Sequence, residues 1–187
     1  MERVRRAYRI VTRPQSEWER VRAENRPGWS VILGHVLPLA FLPALAWPIG
    51  LALSGASPAD AGSSGSTFAG SVALTLLLTV LCVLVLALAF YLLAPMHDAE
   101  RNWDRALSVA GYGSTPVLIS GVMLVMPIMV IVSMVALLHN FLLYYLGLQR
   151  VVGCRQSMAA QYLALSCLLT AVATGMLGAA GGALGIL

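Results

Sequence analysis

Lysine is absent from this chain, and formal charge of any kind is scarce. Asp, Glu, Lys and Arg make up 11% of its 187 residues, while hydrophobic residues make up 59% and the mean hydropathy is +0.82. Soluble domains carry about a quarter charged residues, so a soluble globular protein is excluded and an integral membrane protein is implied. Cysteine is equally sparse. Cys82, Cys154 and Cys167 have neither the close spacing nor the histidine neighbours of a zinc or redox motif. Cys82 and Cys167 read as small apolar fillers, and Cys154 as a free thiol in a short loop. Also missing are GxSxG, HExxH, a P-loop and a dinucleotide fingerprint, so no enzyme, cofactor or metal is expected. The one acid-rich loop, "MHDAERNWDR", places His97, Asp98 and Glu100 together. Adjacent residues on a helix do not converge on one ion, and an amphipathic helix start with local ion pairs is the expected reading.

All 12 basic residues are arginine, and eight of them precede Trp29. The net charge of +4 beside the first apolar segment suits anionic lipid headgroups, with no nucleic acid expected as a partner.

Four stretches free of formal charge follow: Trp29 to Leu53, Thr67 to Pro95, Ala106 to Gln149, and Gln156 to Leu187. The third has 44 residues. As one helix it would measure about 66 Å, against a hydrocarbon core of about 30 Å. It must turn back, and Pro127 in "MLVMPIM" marks the expected reversal. The chain therefore reads as an all-α, polytopic membrane bundle with five transmembrane helices at about 29–53, 67–95, 105–125, 128–149 and 157–184. A basic interfacial helix lies in a cytoplasmic N-terminal segment, residues 1–28, ahead of the membrane domain, 29–187. Arginines precede the first span and lie between spans two and three (Arg101, Arg105) and four and five (Arg150, Arg155). The other side receives none, so the positive-inside rule places the N-terminus in the cytoplasm and the C-terminus outside, in the inner (plasma) membrane. A signal peptide is the weaker reading of the first segment, since its apolar stretch exceeds the roughly 7 to 15 residues of a signal core.

In the N-terminal segment, Val4, Ala7, Tyr8 and Val11 recur at helical spacing among arginines, and Ser16 with Glu19 forms a capping-box pattern for a second short helix. Arg3, Arg5, Arg6, Arg9 and Trp18 are the expected lipid-surface residues. The same arginines equally suit a solvated flank that only sets topology.

No span carries Asp, Glu, Lys or Arg, so the charged groups that mark proton relays are missing. The polar groups are His35 in the first span, Tyr112, Ser114 and Thr115 in the third, and His139 and Asn140 in the fourth. Thr115 lies about 15 Å along its helix from Arg105, and His139 about 16 Å from Arg150. The two clusters are expected to meet as an interhelical hydrogen-bond clamp, or alternatively as a ligand site. His35 is expected to bond near the cytoplasmic interface. "SVAGYGSTPVLISG", residues 108–121, is crowded with helix-weakening residues, whose smallness lets membrane helices approach. Gly111 and Gly113 are expected to bring the third span onto the fourth. Gly178 with Gly182 and Gly181 with Gly185 form two GxxxG pairs that suit contact within the monomer or between copies.

"SEWERVRAE", "VLPLAFLPAL", "GYGSTPVLISGV", a proline-marked reversal and "LLYYLGLQ", in this order, resemble bacterial members of the Yip one (Ypt/Rab-interacting protein) domain family. The resemblance covers about residues 18–183. It implies five spans with a cytoplasmic N-terminus, and its eukaryotic branch implies vesicle trafficking and membrane shaping. It supplies no catalytic residues. The expected function is that of a non-enzymatic inner-membrane protein that organises membrane or scaffolds other membrane proteins. Its partners are the lipid bilayer, anionic headgroups, and copies of itself or other membrane proteins. The alternative is a small permease or channel component with a polar mid-membrane site between the third and fourth spans.

Overall fold

The computed structural model describes residues 2–56, 67–126 and 129–183. Two short helices, α1 (Glu2–Thr12) and α2 (Pro14–Glu24), precede five long apolar ones. These are α3 (Gly28–Leu53), α4 (Phe68–His97), α5 (Trp103–Val125), α6 (Val130–Arg150) and α7 (Gln156–Ala183), each long enough to cross a bilayer. The protein is an all-α, multi-pass bundle. The reversal expected at Pro127 and the glycine at 185 lie outside the described residues.

The helices are not equivalent. In its most apolar stretch α5 is 67% buried, against 17% to 39% for the other four, and it is the least hydropathic of the five. It packs against α3, α4 and α6 and also touches α1. A helix with hydroxyls and glycines gains little from facing lipid, whereas the evenly apolar helices lose nothing there. The least apolar helix therefore takes the centre.

Local sequence explains how the neighbours close on it. Asn102 caps α5, its side chain accepting a bond from the Arg105 amide at 3.2 Å. The helix turns at Ser114 and resumes at Thr115 with Pro116 in its first turn, where a missing amide costs nothing. Its last residues, Gly121–Val125, wind as a tighter 3-10 helix against α3. A Cβ on Gly121 would lie 2.7 Å from Cβ of Pro43, and one on Gly50 would lie 2.5 Å from the carbonyl oxygen of Leu124. In α3 itself Ile32–Val36 forms a π turn, with the Leu37 amide reaching back to the Ile32 carbonyl. Pro38 follows at once. A proline ring clashes with the carbonyl four residues earlier, and the wider turn relieves that clash.

Gly111 and Gly113 serve different neighbours. A Cβ on Gly113 would run into the Tyr144 ring of α6, whereas one on Gly111 would lie 2.9 Å from Cγ1 of Val31 and 3.0 Å from Cγ2 of Val36, both on α3. The expectation that both glycines face the fourth span is corrected for Gly111. Residues two apart on a helix point about 200° away from each other, so the two glycines present opposite faces. Gly178 behaves otherwise: an added Cβ there meets nothing within 4 Å.

At the arginine-bearing end the loops are tied together. The Glu100 amide donates to the Val152 carbonyl at 2.9 Å, Arg105 pairs with Glu100, and Arg155 pairs with Asp98 at 3.5 Å. His97 stacks on Tyr162 at 4.7 Å and bonds the Leu93 carbonyl at 2.9 Å. The "MHDAERNWDR" loop is thus a set of pairs across loops, and α5 starts only at Trp103. Cys154 is buried, and that burial, with Asp98 nearby, pushes its thiol pKa up. Cys82 lies exposed on α4, not in the core as the filler reading expects.

The two classes of glycine are separable by mutation. Gly111→Ala should destabilise by about 1–3 kcal/mol through overpacking. Gly178→Ala should be neutral or stabilising by up to about 1 kcal/mol, because alanine is the better helix former. Thermal unfolding in mild detergent measures both, and equal effects would contradict the packing described for Gly111.

Candidate functional site

Polar chemistry concentrates where α1 and α2 dock against the bundle. In α1, Ala7 and Ile10 are buried at i, i+3 spacing, and Arg6 lies beside them. Its Nη1 donates to the Tyr112 hydroxyl at 3.0 Å, its Nη2 reaches Glu24 at 2.5 Å, and its Nε lies 3.5 Å from Glu17. Glu17 is 1% exposed and is also approached by Arg9 at 3.4 Å and Arg20 at 3.6 Å. One buried carboxylate is thus shared among three guanidinium groups, the compensation that a charge removed from water requires. Burial opposes the charge of Arg6, but its hydrogen bonds with Glu24 and Tyr112 outweigh that and raise its pKa above the ordinary arginine value. The bond from Arg6 conversely holds the Glu24 carboxyl below its ordinary 4.5.

Two further contacts seat the hairpin. Trp18 is fully buried over Gly147 of α6, where an added Cβ would lie 3.1 Å from the indole. His139 bonds the Val11 carbonyl at 3.1 Å. A carbonyl only accepts, so His139 Nε2 carries the proton, and it satisfies one of the orphan carbonyls at the end of α1. α2 begins at Pro14 without a side-chain cap, and Ser16 bonds the Arg13 carbonyl at 3.2 Å. The expected capping box is not formed, because proline at the first helical position removes one of the orphan amides by itself.

Behind the hairpin, the spans are joined by polar pairs. Thr115 donates its hydroxyl proton to the Tyr112 carbonyl at 2.5 Å, so the 2.8 Å contact with His35 Nε2 must be donated by the imidazole. By the same logic Ser114 donates to the Ala110 carbonyl at 2.7 Å, and the Tyr144 hydroxyl donates to Ser114 at 2.8 Å. Asn140 accepts from the Val117 amide at 3.3 Å. That amide lies in the first turn after the break in α5, where the helix offers it no partner. The His35 and Tyr112 rings lie 4.8 Å apart. A continuous line of contacts therefore runs from Glu24 through Arg6, Tyr112 and His35 to Thr115.

Against the expected site, Tyr112, Ser114 and Thr115 do sit at helix contacts, and Asn140 meets the third span. His139 does not: it faces the N-terminal hairpin. Neighbours in sequence point about 100° apart on a helix, and here that separation takes His139 to α1 while Asn140 reaches α5. Of the expected lipid-surface residues, Trp18 and Arg6 are corrected. The indole is covered by α6, and the Arg6 side chain, 13% exposed, is committed to Tyr112 and two carboxylates. Arg5 is exposed and Arg9 is 41% exposed. Tyr8, expected on the apolar stripe, is 70% exposed, with Ile10 in its place. Tyr144 and Glu17 were not singled out by sequence. An i, i+4 register with Asn140 marks the first, but nothing local marks the second.

Neither a curated protein nor a solved structure matches the chain. Lowering the pH should loosen the hairpin. Glu24 has a depressed folded pKa, so its contribution is fully present above 4.5 and is lost as pH falls through the lower folded value. Arg6→Met should do the same at neutral pH by leaving Glu17 buried with fewer partners. Hydrogen exchange of residues 2–24 reads both effects, and Glu24→Gln should flatten the acid response. Five apolar spans with a docked N-terminal hairpin are matched over residues 8–177 by the Yip1 domain, and the chain belongs to that family.

Proposed function

We propose that the protein is a non-enzymatic component of the bacterial inner membrane that organises lipid or holds other membrane proteins together, with a cytoplasmic N-terminus and an external C-terminus. The observation that carries this reading is the use made of its intramembrane polar groups. Tyr112, Ser114, Thr115 and Asn140 each bond to a neighbouring helix, an arrangement suited to rigidity more than to releasing a substrate. The membrane-shaping type of role known from the family's eukaryotic branch fits the same arrangement.

The hairpin supplies the working surface. Arg5, Tyr8 and Thr12 are exposed on α1 at i, i+3 and i+7, Arg9 is partly exposed beside them, and Arg13 follows, exposed, in the turn to α2. Arginines flanking a tyrosine suit the boundary between anionic headgroups and acyl chains. Because α1 is clamped by Arg6 and His139, this face is held at a fixed angle to the bundle.

The reading has two tests. In nanodiscs containing phosphatidylglycerol, the fraction of spin-labelled phosphatidylglycerol immobilised by the full chain should fall about two- to fivefold in the Arg5→Gln/Arg13→Gln variant, and in the wild type it should fall with added salt. No change would remove the hairpin's lipid role. For orientation, in a cysteine-free background in intact cells, an impermeant thiol reagent should label Ser54→Cys and spare Ser157→Cys. The reverse pattern would invert the topology.

A further inference from the structure

Between α6 and α7 lies a groove of about 530 Å³ lined by Phe141, Leu142 and Tyr145 on one side and Leu163 and Cys167 on the other. Its floor exists because Ala160 and Ala164, one turn apart, are small. Both alanines are exposed, as is much of Phe141 and Leu142, so the groove opens sideways into the bilayer. The geometry points to a binding site for one membrane phospholipid, an acyl chain lying in this groove and its phosphate beside Arg155.

Depth selects an acyl chain as the occupant. Ala160 and Tyr145 lie about 6 to 8 Å along their helices from Gln156 and Arg150, and Cys167 and Phe141 about 14 to 17 Å. The groove thus spans the acyl region of a single leaflet, about 15 Å thick. An acyl chain entering from the arginine-bearing side would fill it and stop near the bilayer midplane. Charge selects the headgroup end. Arg155 immediately precedes α7, is 74% exposed, and among the described residues pairs with Asp98 alone, at 3.5 Å, which leaves donors of its planar fork for two phosphate oxygens. Tyr145, at the shallow end, supplies the amphipathic ring common at that depth. The site is separate from the hairpin and does not depend on the role proposed for it.

The test is native mass spectrometry of the full chain extracted in mild detergent and titrated with phosphatidylglycerol or phosphatidylethanolamine of equal chain length. The wild type should retain one phospholipid. Ala164→Phe and Ala160→Phe fill the groove from exposed positions and should lower the bound fraction at least fivefold with an unchanged unfolding midpoint. Arg155→Gln should lower it about threefold for both headgroups. Leu177→Phe, exposed on α7 outside the groove, should change nothing. No retained lipid, or equal retention by Ala164→Phe, would overturn the site. Unaltered binding in Arg155→Gln would remove the phosphate contact. A Cys167 to Cys167 crosslink in native membranes that Ala164→Phe abolishes would assign the groove to a second copy of the chain instead.

Discussion

A hydroxyl or imidazole facing hydrocarbon loses its water partners and finds none in lipid. That penalty organises this bundle. Tyr112, Ser114 and Thr115 lie within three residues of one another on α5, and no rotation of a helix that includes all three would place them in lipid without loss. Enclosing the helix removes the difficulty. α3 supplies His35 to Thr115, α6 supplies Tyr144 to Ser114, and α1 supplies Arg6 to Tyr112. Gly111 and Gly113 are what allow α3 and α6 to come close enough for those bonds, since a methyl group at either position would strike the neighbour. Close approach and polar pairing are thus one feature: the glycines set the distance at which the hydroxyls become satisfiable.

The same bonds connect the membrane interior to the N-terminal hairpin. Arg6 cannot donate to Tyr112 unless α1 lies along the bundle, and α1 is held there by the shared carboxylate of Glu17 and by the His139 bond to its last turn. His35, one step further in, belongs to the π turn that precedes Pro38. The position of the hairpin and the shape of the kinked first span therefore share a single chain of contacts, and displacement at one end must be absorbed somewhere along it. Mid-membrane Arg or Glu would be costly, but the hairpin brings both to the bundle end, where they neutralise each other.

Charge distribution made the spans legible. Arginines flank each apolar stretch, and a 44-residue run between them exceeds what one helix can use in a bilayer. Which helix faces which was harder to read, for a physical reason. In water, apolar periodicity separates the buried face from the exposed one, but in lipid both faces are apolar, and α4 carries exposed Leu77, Leu78, Leu88 and Leu92 beside buried Val83, Leu86 and Phe90. The glycines of α5 announce close contact without naming the partner, and Gly111 packs on α3 where the sequence points to α6. The hairpin failed differently. Trp18 among arginines has the composition of a headgroup anchor, and only the position of Gly147, which leaves room for the indole, makes it a core residue.

The absence of lysine finds its physical sense in this hairpin. Lysine presents a compact, strongly hydrated point charge, whereas the guanidinium is planar, less hydrated and able to serve several acceptors at once. Arg6 uses that geometry fully: it bonds Tyr112 and Glu24 with separate nitrogens, lies against Glu17, and sits 5.5 Å from the Tyr112 ring centre. An ammonium in its place would have to surrender its water for fewer partners. Arg101 repeats the pattern in the loop before α5, its guanidinium 4.6 Å from the Tyr91 ring. Where one side chain must satisfy several protein acceptors as it leaves water, the fork-shaped cation does so with the least loss. Arg5, exposed on α1, and Arg13, exposed in the turn after it, present outward the same chemistry that Arg6 directs inward.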